Sequence, residues 1–442
     1  MNKHFAASAI KSFRLGIAAV VAAVGLGAVA SPAAAAVAPR VIVTSHRAPA
    51  LTVSQKLNLA KHPFRRGQMR PIFLVKPPYV AGALTRQRSA LVRPMSGVNT
   101  VPFWTTHITS PRDHLTYTVD MVGSSPLQAT PVNRNVSYVP IILRIHMGGI
   151  VVDPTVVSPC DTESPAQRFF DSPLFQPATN IFSNGVNVST GGQQLVSAFQ
   201  RADFWTSTQG TTYGVTLVPT RTSPIIIDWA PWQPTDFVGS FSDECGQTEA
   251  MPNIDIGEYD AELQMIAARW ATPTQIPVIM SLNVAIYTDL NTNHCCVLGY
   301  HNAVPLPSGV QLYATGAYFD SANLFGVDYQ DISTWTHEIS ELVADPFVQS
   351  IPTVPGGTSA NLTPAWGHTG QVSGCQNNLE TGDPLSSDQI GNFHDKTINE
   401  GGFHYHYQDL AFHSWFYRSH STGTGGKFSF NGNFVRAAGA IC

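Results

Sequence analysis

The sequence predicts an α+β fold built on a mixed sheet, loop-rich and held by disulfides. Three observations lead there. Short runs of β-branched and aromatic residues dominate residues 101–250, while helical periodicity surfaces only at intervals. Charged residues make up 12% of the chain beside 35 glycines and 32 prolines, a balance that suits an exported, turn-rich protein better than a helical bundle. The six cysteines are even in number and none forms a C-x-x-C pair, which favours disulfides over a thiolate metal site.

The chain opens as a leader. Residues 1–36 carry Lys3, Lys11 and Arg14, then an apolar run from Leu15 to Ala30, then small residues offering cleavage after Ala30 or Ala36. The run is short for a membrane span, so the expected product is secreted or periplasmic, with no integral membrane segment after leader removal. Residues 37–100 hold eleven Lys and Arg and no Asp or Glu, and the first acidic residue is Asp113. Residues 101–442 reverse the balance, with eleven Lys and Arg against twenty-nine Asp and Glu, a formal charge of −18. The basic, proline-punctuated stretch reads as a prosegment in electrostatic contact with the acidic domain, an arm for an anionic cell envelope, or a linker. It has no cysteine to block a metal. The acidic body would repel phosphate and carries no recognition motif, which argues against nucleic acid as a partner.

The acidic body is long enough for one large domain or two lobes, 101–250 and 251–442. Its strand-like runs are LTYTVDMV, YVPIILRIHM, GIVVDPTVV, TYGVTLVP and SPIIIDW; among them QQLVSAFQRADFW reads as a helix with Leu195, Phe199 and Ala202 on one side. A helix near Glu258–Trp270 follows, then a buried strand from Val278 to Tyr287 and a loop holding His294, Cys295, Cys296 and His301. After these come a strand over Gln311–Phe319, a helix over about 331–345 and a Gly- and His-rich tail.

The helix at 331–345 carries the chemistry. In THEISELVADP, residues 336–346, a step of about 100° per residue places His337, Glu341 and Asp345 within an arc of roughly 80°, with Glu338 at its edge. Ile332, Trp335, Ile339, Leu342 and Val343 centre on the other side. Asp331 or Ser333 would cap the start, and Pro346 cannot continue the helix. His337 and Glu341, four apart, can share one divalent metal, most simply zinc, while Glu338 serves as general base toward water acidified by the ion. The competing expectation is a surface helix with a solvated acidic face.

The pattern H-E-x-x-E resembles the zincin metallopeptidases, whose helix carries H-E-x-x-H, with Glu341 replacing the second histidine. A carboxylate there weakens the Lewis acid and loosens selectivity for zinc over harder ions. The resemblance implies a peptide or protein substrate, a third ligand from a later carboxylate, and an edge strand pairing with extended substrate where Gln311–Phe319 stands. In GCQNNLETGDPL, Glu380 is the first candidate ligand and Asp383 the second, with His368 a rival and Asp345 an outer acceptor orienting a ligand.

Elsewhere, FHYHY sets His404 and His406 on one strand face, and Tyr405 or His404 could stabilise an oxyanion or form an aromatic wall. No G-x-S-x-G elbow or phosphate-binding glycine loop occurs. Cys160, Cys245, Cys295, Cys296, Cys375 and Cys442 allow up to three disulfides, with adjacent Cys295 and Cys296 expected to reach separate partners and Cys442 to tie down the C-terminus. CCVLGYH, the helix ending in Asp345 and Pro346, Gly382 with Asp383, GKFSF and the terminal cysteine also resemble the exordium-like, phosphate-induced secreted proteins. That resemblance implies a non-catalytic extracellular or cell-surface role. The leading expectation is a secreted metal-dependent hydrolase of the peptidase type.

Overall fold

The computed structural model describes residues 38–41, 51–63, 97–109, 116–125, 133–183, 186–203, 208, 211, 213–325, 329–347, 372–373, 397–408 and 435–436. Among the described residues the helices are α1 (Val53–Leu59), α2 (Pro165–Asp171), α3 (Leu195–Asp203), α4 (Ile256–Trp270) and α5 (Ser333–Ala344). The first ten strands are β1 (Phe103–Thr109), β2 (Thr116–Val122), β3 (Asn133–Met147), β4 (Ile150–Val152), β5 (Ala178–Ser183), β6 (Val186–Gln193), β7 (Gly214–Pro219), β8 (Ile225–Trp229), β9 (Phe237–Ser242) and β10 (Thr248–Asp255). The remaining nine are β11 (Ile276–Leu282), β12 (Ala285–Thr288), β13 (Asn291–Val297), β14 (Gly299–Leu306), β15 (Gly309–Tyr318), β16 (Val372–Ser373), β17 (Thr397–Glu400), β18 (Phe403–His406) and β19 (Val435–Arg436).

The largest sheet has seven strands and runs β14-β15-β11-β3-β4, with β7 and β8 also on β3. It is mixed. β11 lies parallel to both β15 and β3, while β14 is antiparallel to β15. β3 reaches fifteen residues and pairs in parallel with β7 through its first part and β8 through its second. The apolar run of β11 is buried at every position, as expected of a central strand covered on both faces.

Alternation along β15 shows the covers. The Tyr259 hydroxyl of α4 lies 3.1 Å from Thr315 Oγ1, and the next residue, Gly316, meets the Trp335 ring of α5. Successive side chains leave a strand on opposite faces, so α4 and α5 sandwich this part of the sheet. The α+β class with mixed sheets is as expected, and Cys160 is bridged to Cys245.

Several local expectations are corrected. The run from Val278 to Tyr287 is two strands in different sheets: β11 stops at Leu282, Asn283 turns the chain at φ 51°, and β12 joins β13, β10 and β9. Asparagine tolerates the left-handed conformation well enough to make that break without glycine. The Gln311–Phe319 strand is not an edge, because β15 is flanked by β14 and β11; β14 is the outer strand among the described residues. Cys295 and Cys296 are bonded to each other instead of to separate partners. Cys375 and Cys442 lie outside the described residues.

The described part of the basic stretch carries a short helix. Thr52 and Gln55 form a reciprocal capping box at the start of α1, a T-x-x-Q pattern. Leu59 and Val41 are buried, Ser240 N–H donates to His62 O at 3.0 Å, and Gln55 Nε2 donates to Gly149 O at 2.8 Å. Burial and hydrogen bonds to backbone atoms hold this described part. Among the described residues, no helix is long and apolar enough to cross a membrane.

Candidate metal centre

Helix α5 is buried on all sides. Its acidic face is therefore not the solvated surface that amphipathic patterning allowed: His337 is 3% exposed, Glu338 6%, Glu341 2% and Asp345 3%. The apolar face packs as expected, with the Trp335 ring 4.5 Å from that of Phe169. Neither Asp331 nor Ser333 caps it; the N-cap is Ile332, without a side-chain bond. At the other end, Gln200 Nε2 from α3 donates to Val343 O at 2.9 Å, satisfying one of the terminal carbonyls a helix leaves open.

Two glycines bring this helix onto the sheet. Gly299 and Gly316 face each other in the β14–β15 register. A Cβ on Gly299 would lie 2.8 Å from Thr334 Cγ2 and 3.0 Å from Glu338 Cγ, and one on Gly316 would lie 3.1 Å from the Trp335 ring. The absence of both side chains forms the slot that α5 occupies.

The same strand delivers a histidine. Tyr300 and Asn302 of β14 point toward α4: the Tyr300 hydroxyl donates to Asp260 Oδ1 at 3.1 Å, and Asn302 Nδ2 donates to the Tyr313 hydroxyl at 3.2 Å, which also donates to Asp260. Alternation then sends Gly299 and His301 to the α5 face. His301, 1% exposed, stands with Nδ1 3.5 Å from Glu338 Oε2. One ligand atom from each of His301, Glu338 and Glu341 falls within 4.8 Å of the others. His337 joins from α5, its Nε2 3.0 Å from Glu341 Oε2.

The electrostatics suit a cation. Burial pushes the Glu338 carboxyl above its ordinary range and the Glu341 charge adds to that, against the pull of both histidines. Burial alone would depress the His301 pKa, but Glu338, Glu341 and Asp345 together outweigh it and raise the value. Both shifts come from placing a carboxylate and an imidazole side by side out of water. Three carboxylates, Glu338, Glu341 and Asp345, stand near two imidazoles, so these five side chains carry excess negative charge whenever all three carboxylates are ionised. Burying such an excess is costly without a counter-charge, and imidazole with carboxylate is a donor set for zinc and for harder divalent ions.

Of the residues expected at the site, His337, Glu338 and Glu341 come together. Glu380, Asp383 and His368 lie outside the described residues. Asp345 sits just past the last turn of α5, its N–H donating to Glu341 O at 2.6 Å; the group facing the far side of His337 is instead Gln408, with Oε1 3.1 Å from Nδ1. The Tyr405 hydroxyl is directed to Arg168 O at 3.0 Å and its ring is buried, which places it in packing and not among the gathered donors. His404 is exposed opposite Asn399 of β17. His406 pairs with Asp331, Nδ1 to Oδ2 at 2.6 Å. His301 and Gln408 are the members that sequence patterning missed; the alternation in GYHN held a signal for His301, but nothing local marks Gln408.

No family model, curated protein or solved structure matches the chain.

Proposed function

We propose that the cluster between β14 and α5 is a divalent-metal centre and that the chain is an exported metal-dependent hydrolase of the peptidase type. One observation carries this: the acidic face of α5 is buried against His301 instead of being solvated. The leader-like N-terminus and the two disulfides among the described residues support export to an oxidising compartment, secreted or periplasmic.

His301, His337 and Glu341 would hold the ion, with His301 supplying the imidazole that the helix lacks at its third position after Glu338. When bound, the ion would acidify water and polarise a carbonyl. Glu338, its carboxyl raised by burial and within reach of His301, would take the proton and carry it to the leaving amine. Glu380 or Asp383 would complete the donor set. A zincin-like relationship fits the helix pattern, with the second imidazole coming from a strand.

The depth of the cluster also favours a second proposal, a metal that only braces an exported, non-catalytic protein of the exordium-like kind. Elemental analysis of purified protein, thermal unfolding with zinc or manganese, and cleavage of a quenched-fluorescent peptide library distinguish them. Stoichiometric metal with chelator-sensitive cleavage supports the hydrolase. Metal-dependent melting without cleavage supports the structural role. Absence of both removes the metal centre.

A further inference from the structure

The segment Phe403–Gln408 ties down the start of α5 at several points. His406 N–H donates to Asp331 Oδ1 at 2.8 Å, its Nδ1 lies 2.6 Å from Asp331 Oδ2, and its Nε2 lies 2.8 Å from Gln330 Nε2. Two residues on, Gln408 N–H donates to Thr336 Oγ1 at 2.9 Å, while that hydroxyl donates to Ser333 O at 2.8 Å. The Gln408 backbone is therefore fixed to the helix one residue before His337. Its side-chain oxygen then meets His337 Nδ1 at 3.1 Å.

A carboxamide oxygen only accepts, so the proton of that bond belongs to His337 Nδ1. In the neutral ring Nε2 then keeps a lone pair, and Nε2 lies 3.0 Å from Glu341 Oε2, which is also an acceptor. Two acceptors at that distance repel unless a proton or a cation serves both. Histidines that bind metal ordinarily donate the far N–H to a fixed acceptor, which sets both ring orientation and tautomer.

We propose that Gln408 is a positioning residue: it holds His337 as the Nδ1–H tautomer and leaves Nε2 as the donor atom that shares a divalent cation with Glu341. The inference rests on the metal-centre proposal for its consequence, but the tautomer stands apart from it.

The test uses full-length protein carrying ¹⁵N-labelled histidine. In the metal-free wild type, at a pH where His337 is neutral, long-range ¹⁵N–¹H correlation should show the proton on Nδ1; in Gln408→Ala it should move to Nε2, toward Glu341. Zinc affinity, measured by competition with a chromophoric chelator, should fall about 10–100-fold in Gln408→Ala and be kept in Gln408→Glu, whose carboxylate accepts the same N–H. A merely structural role would lower the melting temperature of both variants and leave the tautomer in place. Wild-type His337 protonated on Nε2, or Gln408→Ala with unchanged tautomer and zinc affinity, would overturn the proposal. If the wild type binds no zinc, the metal centre fails while the tautomer measurement still decides the role of Gln408.

Discussion

Replacing His301 by alanine is the sharpest test of how the centre is assembled. The imidazole is 1% exposed and 3.5 Å from Glu338, and its raised pKa reflects the carboxylates around it. Without it, Glu338 and Glu341 remain buried with only His337 among the gathered imidazoles. Removing one partner from a buried ionic cluster costs about 3–5 kcal/mol. At an unfolding entropy of about 2.1 cal/mol/K per residue, a fold of three to four hundred residues should melt roughly 4–8 °C lower. The second effect is on metal. Zinc at a hundredfold excess over its Kd should stabilise the wild type by about 2.7 kcal/mol, and the variant should lose most of that gain. Scanning calorimetry with and without zinc reads both. A variant that melts with the wild type and gains as much from zinc would refute the placement of His301.

Three further outcomes are expected. Glu338→Gln should keep stoichiometric metal and lose chelator-sensitive cleavage; metal loss equal to that of Glu341→Gln would recast Glu338 as a ligand. Gly299→Ala should cost about 1–3 kcal/mol, because its Cβ would press on Thr315 O at 2.8 Å and on Glu338 Cγ, and should weaken zinc binding more than Gly316→Ala, which meets only the Trp335 ring; equal zinc affinities in the two variants would exclude control of Glu338 through this slot. Away from the centre, burial and then the charges of Asp320 and Asp243 push Glu249 up to about 8, and burial pushes Asp320 to about 6. The folded state thus binds more protons than the unfolded chain above pH ~4, so this cluster's contribution should fall as pH rises from about 5 to about 8. Urea unfolding across that range should show the slope, and Glu249→Gln should flatten it; an unchanged slope would assign it elsewhere.

Helix α5 was legible because its two faces differ in chemistry at a 3.6-residue period. What lay against the acidic face was not, since periodicity separates faces without saying which are covered. The division of β11 from β12 rests on Asn283 at φ 51°, with no glycine or proline to announce it. The interior position of β15 and the outer position of β14 among the described strands were likewise hidden, because strand order depends on pairings between distant segments. The run from Gln311 to Phe319 looks the same in either place.

The centre shows why a motif search along the helix could find only part of it. His301 arrives on β14, His337, Glu338 and Glu341 on α5, and Gln408 on the segment following β18, so 107 positions separate the first from the last. Gly299, two residues before His301, lets the helix approach until the imidazole of the strand stands beside Glu338. That coupling ties chemistry to packing. A substitution at Gly299 touches no proposed ligand atom, yet should move Glu338 relative to His301, whereas Gln408→Ala should leave the packing and change the nitrogen that His337 presents. Different responses of melting temperature and zinc affinity to these two changes would separate the slot that forms the site from the hydrogen bond that orients it.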